Sequence, residues 1–218
     1  MARGSLPPVR FVLASRSPAR LTTLRAAGIA PEVIVSDVDE DAIIAAHPDM
    51  APRELVGVLA KAKAEAVAAQ APDAVVVACD SMFEMHGELR GKPADAADAT
   101  RRLKSMRSNH GTLHTGHHVV HGDAQRTETA STEVHIGPMT DAEIEQYVAT
   151  GEPLHVAGSF TIDGLGGWFI ERIEGDHTNV VGISLPTVRR MFNDLDIDIT
   201  QYFSTELPSQ DSLQKGQQ

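Results

Sequence analysis

The sequence has little of what most quickly classifies a chain. It contains one cysteine, Cys79, so no internal disulfide is possible. Aromatic residues make up only 4%, so the core must be built mostly of Val, Ile, Leu and Ala. No stretch approaches the roughly 20 apolar residues of a membrane span, and the opening MARGSLPPVR lacks the apolar region of a signal peptide. Together these absences point to a soluble, reducing, cytoplasmic setting with no membrane partner. Positive charge is also scarce. Nineteen Lys and Arg face 30 Asp and Glu, a formal net charge of -11, which disfavours long contacts with a nucleic-acid polymer. A local basic pocket for a small phosphorylated ligand remains compatible with that balance. No Walker lysine loop or dinucleotide fingerprint occurs, and GLGG at 164–167 reads as a turn. Repeats and low-complexity blocks are absent too.

What is present suits a sizeable core. Hydrophobic residues make up 42% of 218 positions, enough for one large or two-lobed domain. Residues 1–8 read as a loose leader, 9–203 as one two-lobed domain, and 204–218 as a polar tail. VRFVLAS (9–15) is a buried strand. Pro18 then opens a helix that Gly28 stops. PEVIVSDVDED (31–41) returns to strand and ends in acids. Residues 52–72 form a long helix with Leu55, Leu59 and Ala62 on one face, 73–85 a second buried strand containing Cys79, and 94–108 another helix. A β-hairpin is expected around Gly122–Asp123. Thr140 and Glu143 form a capping box for a helix that Gly151 ends, and a last helix follows NVVGISLP. Early alternation of strand and helix predicts an α/β fold with a partly parallel sheet.

Chemistry concentrates at strand ends. In LASRSPAR, a strand passes through a serine-rich loop into a helix N-terminus, where free N–H groups and the helix dipole favour an anion. Ser15 and Ser17 add hydroxyls, and Arg20 is placed to fork onto a phosphate. The simpler reading makes Ser17 a helix cap and Arg20 a surface charge; Arg16 reads as surface on either view. Asp80 follows the apolar run 74–79, and open α/β sheets place ligands at the carboxyl ends of strands. A carboxylate there can hold a divalent metal or activate water. Glu40 is placed similarly after the preceding strand, while Lys63 and Lys92 are either phosphate partners or ordinary surface lysines. The histidines at 110, 114, 117, 118 and 121 do not converge. In a strand His114 and His118 share one face and His117 and His121 the other, so one compact zinc site is not expected.

Taken in order, LASRSPARLTTLRAAGI, DVDED, LAKAKAEAV, VVVACDS, GKPADAADATRRL, HTGHHVV, STEVHIG, EIEQYVATGEP, VAGSFTIDGLGGWFI and EGDHTNVVGISLP resemble the Maf family of nucleotide pyrophosphatases, most closely its actinobacterial branch. The resemblance covers about residues 9 to 195. It implies a mixed α/β sheet with flanking helices, two lobes around a cleft, and a likeness in shape to inosine triphosphate pyrophosphatases. It further implies hydrolysis of a nucleoside triphosphate between the α- and β-phosphates, yielding monophosphate and pyrophosphate with Mg²⁺ or Mn²⁺, and it is compatible with a homodimer. By motif, Asp80 becomes the catalytic acid–base residue, Ser15, Arg20, Lys63 and Lys92 the triphosphate ligands, and Glu40 with Asp80 the metal ligands. Relatives that act on dTTP and UTP carry Arg, Thr and Gln where this chain has Ala19, Ser81 and Asp163. Relatives that act on 7-methyl-GTP differ at the same three places. The acidic Asp163 leans toward the second type, because a carboxylate accepts hydrogen bonds from a guanine edge.

Two other readings use the same residues. A nucleotidyltransferase would also need a strand–loop–arginine, a GKP and a metal-binding acid, but it would carry a glycine-rich first loop, which ASRSPAR is not. A non-catalytic nucleotide-binding regulator of division would bind without turnover.

Overall fold

The structure, a computed structural model, describes residues 9–204. The expected leader, 1–8, and the expected tail beyond Ser204 lie outside the described residues.

Among the described residues, seven strands form one mixed sheet: β1 (Arg10–Leu13), β2 (Glu32–Val33), β3 (Ala74–Met85), β4 (Glu88–Arg90), β5 (His110–His121), β6 (Ala124–Ile136) and β7 (Ile170–Glu174). Their order is β2-β1-β3-β5-β6-β7, with β4 also on β3. β1 pairs in parallel with β2 and β3, while β3–β4, β3–β5, β5–β6 and β6–β7 are antiparallel. Seven α-helices among the described residues flank it: α1 (Pro18–Ala26), α2 (Glu40–Ala46), α3 (Pro52–Ala68), α4 (Ala96–Met106), α5 (Asp141–Ala149), α6 (His177–Val181) and α7 (Leu185–Asp194). Among the described residues no helix is long and apolar enough to cross a membrane.

Local rules account for most boundaries. Ser17 caps α1 by accepting from the Arg20 amide, and Pro18 occupies the first turn, where its missing N–H costs nothing. The Thr140–Glu143 capping box starts α5. Gly122–Asp123 joins β5 to β6 in a two-residue turn, with His121 paired to Ala124 and Gly122 at φ +58°. The segment 31–41 departs from expectation. Only Glu32–Val33 is strand, and Asp39 instead caps α2 by accepting from the Ala42 amide, with Glu40 and Asp41 in the dipole-favoured first turn. Glu40 therefore begins a helix and does not follow a strand in a loop.

Strand alternation divides the core into layers. Odd-numbered residues of β1 and β3, including Leu13, Val75, Val77 and Cys79, pack with Leu24 of α1 and with Val188, Met191 and Phe192 of α7. Even-numbered residues, Val12, Ala14, Val76 and Ala78, pack with Ala64 and Val67 of α3. Farther along β3, Phe83 and Met85 enter a second core with Leu103 and Met106 of α4, Ile144 and Tyr147 of α5, and Phe160. β3 is thus the spine shared by two lobes.

The strand expected over 73–85 is present as Ala74–Met85, so Asp80, placed at the carboxyl end of the run 74–79, lies within the strand and does not terminate it. The neighbour stops instead. β1 pairs with β3 only through Leu13↔Val77, and β4 takes up the pairing at Phe83. Residues 78–82 therefore have a strand partner on one edge only, and a crevice opens where β1 ends. This is the switch point at which α/β sheets hold ligands, reached from the side of β3.

Gly116 sits opposite Asp80 in the β3–β5 register and lies directly beneath α3. A Cβ there would stand 2.2 Å from the Val56 carbonyl oxygen. Glycine thus lets α3 approach the sheet closely enough for its buried face to reach β3. Gly116→Ala is expected to destabilise the protein by about 1–3 kcal/mol, since backbone must move to admit the methyl group. Urea unfolding midpoints would measure this; an unchanged midpoint would remove the close-approach argument.

Candidate active site

Nine residues singled out from sequence, Ser15, Ala19, Arg20, Glu40, Lys63, Asp80, Ser81, Lys92 and Asp163, all line a single cleft of about 790 Å³ between the two lobes. They arrive from several separate elements. The β1–α1 turn brings Ser15, α1 brings Ala19 and Arg20, α2 brings Glu40, α3 brings Lys63, and β3 brings Asp80 and Ser81. From the other lobe, the β4–α4 connection contributes Lys92 and the loop before β7 contributes Asp163.

Alternation on β3 sends Asp80 toward α3 and Ser81 toward α1. On the α3 side the ammonium of Lys63 lies between two carboxylates, 2.6 Å from Asp80 Oδ1 and 2.9 Å from Glu40 Oε2. Lys63 is no surface lysine. It belongs to the buried stripe of α3 with Leu55, Leu59, Ala60, Ala64 and Val67, lines the cleft together with Leu59, and is 8% exposed. Asp80 is equally buried. Burial raises its carboxyl above the ordinary range, against the opposing pull of Lys63 and Arg20. Asp80 Oδ2 and Glu40 Oε1 have no hydrogen-bond partner among the described residues. Two carboxylates with free oxygens at a cleft wall are hard donors that fit a Mg²⁺ or Mn²⁺ ion sharing its remaining positions with water and phosphate.

On the α1 side the centre is Arg20. Its Nε donates to the Gly182 carbonyl at 2.7 Å, and its Nη1 to Ser15 Oγ at 3.1 Å and to the Cys79 carbonyl at 2.9 Å. Nη2 donates to Ser81 Oγ at 3.0 Å. Four of the five guanidinium donors are thus committed to the protein. The Cys79 carbonyl is the acceptor left without a strand partner where β1 ends, and the guanidinium supplies the missing donor. Ser81 Oγ also bonds Thr115 Oγ1 at 2.9 Å, and Thr115 reaches the Asn179 carbonyl.

The segment carrying Gly182 is itself held from the sheet. Asn179 Nδ2 donates to the Leu113 carbonyl and Thr132 Oγ1, and the Ser184 amide donates to His117 Nε2 at 2.8 Å. Burial pushes the His117 imidazolium pKa down to about 4, so the neutral ring is the acceptor. His117 faces α7 while His114 and His118 face the opposite side, bonding Ser131 and Thr127. As expected from strand parity, the histidines form no common site. Among the described residues, the one close set of three metal-ligand types is Glu133, His135 and Glu174 on β6–β7. It lies away from the cleft, and Arg172 already bonds both His135 and Glu174.

Two features were not legible beforehand. Glu152 accepts from Tyr147 Oη, Thr161 Oγ1 and the amides of Leu165 and Gly166. That single carboxylate holds the glycine-rich loop and with it Asp163, which stays exposed and without a partner among the described residues. A Glu before a Pro gives no hint of such a role. Arg16, expected as plain surface, is exposed but lines the cleft.

A mixed sheet whose switch point opens into a cleft lined by carboxylates and cations defines an α/β protein with a polar cleft of the size that takes a small ligand. The family model described as Maf-like protein matches residues 10–195, and the chain belongs to the Maf family. A Streptomyces avermitilis protein named nucleoside triphosphate pyrophosphatase is 54% identical over 202 residues, covering 91% of this chain and 96% of its own. Proteins of the same name from Streptomyces coelicolor and Salinispora tropica are each 52% identical, covering 91% and 92% of this chain and 96% and 90% of their own. Among solved structures, a Mycobacterium abscessus nucleoside-triphosphatase (dITP/XTP pyrophosphatase) aligns with 60% of this chain and 75% of its own at 14% identity. Its TM-score of 0.33 is too low to carry a fold argument.

Arg20→Ala is expected to cost about 2 kcal/mol or more in urea unfolding, because it removes donors from four acceptors. Arg20→Lys should recover little, since an ammonium cannot span them all. Equal stability of the three proteins would show that the network is dispensable. For His117, folding favours the neutral ring. Its contribution, about 3 kcal/mol from the shift between 6.5 and about 4, is complete above pH 6.5 and lost as pH falls toward 4. His117→Gln should therefore show a smaller drop in unfolding free energy between pH 7 and pH 4.5 than the parent chain. An equal drop would assign the acid sensitivity to other groups.

Proposed function

We infer that the chain is a cytoplasmic, divalent-metal-dependent nucleoside triphosphate pyrophosphatase. It hydrolyses the α–β phosphoanhydride of nucleoside triphosphates, standard or modified, and releases monophosphate and pyrophosphate. The observation that carries this reading is the Asp80–Lys63–Glu40 row on one wall of the cleft, its Asp80–Lys63 pair buried and Glu40 exposed at its outer end, with the free ammonium of Lys92 on the other. The naming of its relatives supports it.

Each group has a task that its surroundings suit. Asp80 accepts the proton of the water that attacks phosphorus. Its raised carboxyl makes it a stronger base than an exposed aspartate, while Lys63 keeps it ionised. Lys63 also holds Glu40 beside Asp80. Asp80 and Glu40 would hold the metal, which when bound offsets the charge of the phosphates. Lys92 has no hydrogen-bond or ion-pair partner among the described residues, so its charge is available to substrate. Ser15 Oγ accepts from Arg20 and from the Ser17 amide, which leaves its own proton to donate. Arg20 acts chiefly by fixing the wall that Ser15 and Ser81 form.

Of the three positions that sort substrates, Ala19 offers no polar group and Ser81 is held by Arg20 and Thr115. Asp163 remains as a free acceptor, which favours a base presenting donors, as guanine does. Homodimerisation is compatible with this reading.

Pyrophosphate release from a nucleotide panel with Mg²⁺ tests the inference. Asp80→Asn should lower kcat by about a hundred-fold or more while leaving the fold intact. The acid limb of the kcat/KM profile should lie above that of an ordinary carboxylate, and Lys63→Met should move it higher still. Absence of pyrophosphate from every nucleotide, or full activity of Asp80→Asn, would overturn the assignment. Nucleotide binding without turnover would indicate the regulator, and turnover only with an added acceptor the nucleotidyltransferase.

A further inference from the structure

The cations of the cleft are not equally available. Arg20 has four donors committed to Ser15, Cys79, Ser81 and Gly182. Lys63 is neutralised by two carboxylates at 2.6 and 2.9 Å. The remaining lysine and arginine of the lining are Lys92 and Arg16, and neither has a hydrogen-bond or ion-pair partner among the described residues.

Arg16 projects from a firm base. The Ser17 amide donates to Ser15 Oγ at 3.1 Å, and the Arg20 amide donates to Ser17 Oγ at 3.4 Å. Both flanking hydroxyls are thereby engaged with the turn, and the residue between them is exposed and lines the cleft. The next side chains along the rim, Pro18 and Ala19, bear no charge. An exposed arginine on a fixed backbone, on the opposite lobe from Lys92, is placed to close on a phosphate chain lying between them.

We propose that Arg16 is a substrate-binding residue that, with Lys92, clamps the phosphate chain from opposite walls of the cleft. This rests on the pyrophosphatase reading above. The planar guanidinium presents two parallel donors in a fixed fork that matches two oxygens of one phosphate, a geometry the compact ammonium of Lys92 lacks. It also concentrates positive potential at the entrance of a chain whose net charge is -11, so that a polyanion is drawn in where the rest of the surface repels it.

Steady-state pyrophosphate release compares the parent chain with Arg16→Ala, Arg16→Lys and Arg16→Glu. Arg25→Ala, which removes an exposed charge of α1 outside the cleft lining, serves as control. Arg16→Ala should raise KM about ten-fold, the loss expected for charge-assisted hydrogen bonds, with kcat within about two-fold. Arg16→Lys should recover part of this, Arg16→Glu should be worse, and the salt dependence of kcat/KM should become shallower. Calorimetric binding of inorganic tripolyphosphate with Mg²⁺ gives a readout independent of turnover and should weaken by a similar factor. Parent-like KM and tripolyphosphate affinity in Arg16→Ala, or equal changes in Arg25→Ala, would overturn the proposal. If the parent chain bound tripolyphosphate through Arg16 but hydrolysed no nucleotide, the pyrophosphatase reading would fail while the clamp stood.

Discussion

The site depends on a mismatch in strand length. β1 ends at Leu13 while β3 continues eight residues beyond its last partner, Val77, to Met85. Between the end of β1 and the start of β4 the edge of β3 is bare, and a bare strand edge inside a protein is costly unless its polar groups find partners. Arg20 resolves this. Its guanidinium reaches from α1 to the Cys79 carbonyl and, in the same plane of donors, ties in Ser15, Ser81 and Gly182. One side chain thus joins β1, β3, α1 and the α6–α7 connection at the point where the sheet opens. The crevice is a stable feature because its exposed backbone is satisfied from the side.

The opposite face of β3 follows a different logic. α3 packs closely over Gly116, and its stripe of Leu and Ala would leave the row of small β3 residues covered by apolar groups alone. Lys63 interrupts the stripe near the cleft, and its ammonium is placed between Asp80 and Glu40. A buried lysine is tolerable only when paired. The pairing also fixes the spacing of two carboxylates that would otherwise repel. Structural and chemical roles coincide here, for the cation that makes burial of Asp80 affordable also keeps it a carboxylate while burial strengthens it as a base.

Much of this was readable in advance where local chemistry decides the outcome. The capping box at Thr140, the Gly122–Asp123 hairpin turn and the parity of the histidines depend on a few neighbouring residues, and the structure has all three. The convergence of nine separate residues on one cleft was reachable only through the order of many motifs, since no spacing rule links positions 15 and 163. Three things were out of reach. Glu40 looked like a loop acid because the capping strength of Asp39 competes with a β-prone VIV run, and the cap prevailed. Asp80 looked like a strand terminus because sequence shows where a strand becomes polar but not where its neighbour stops. Glu152 gave no signal, since its four donors come from residues up to 14 positions away.

The same gap bears on the two arginines of ASRSPAR, whose roles the proposal above exchanges. Sequence pattern favours Arg20 as the phosphate ligand, because it stands in the first turn of a helix. Tertiary structure spends its donors on the sheet edge, a demand that exists only because β1 is short. Arg16, one residue outside the helix on a turn stiffened by Ser15 and Ser17, keeps its charge free. Of two arginines beside a polyanion site, the one with unsatisfied donors has more to gain when substrate arrives, whereas the one already bonded must break contacts to help. In this cleft the half-buried arginine builds the wall, and on the proposal above the exposed one meets the ligand.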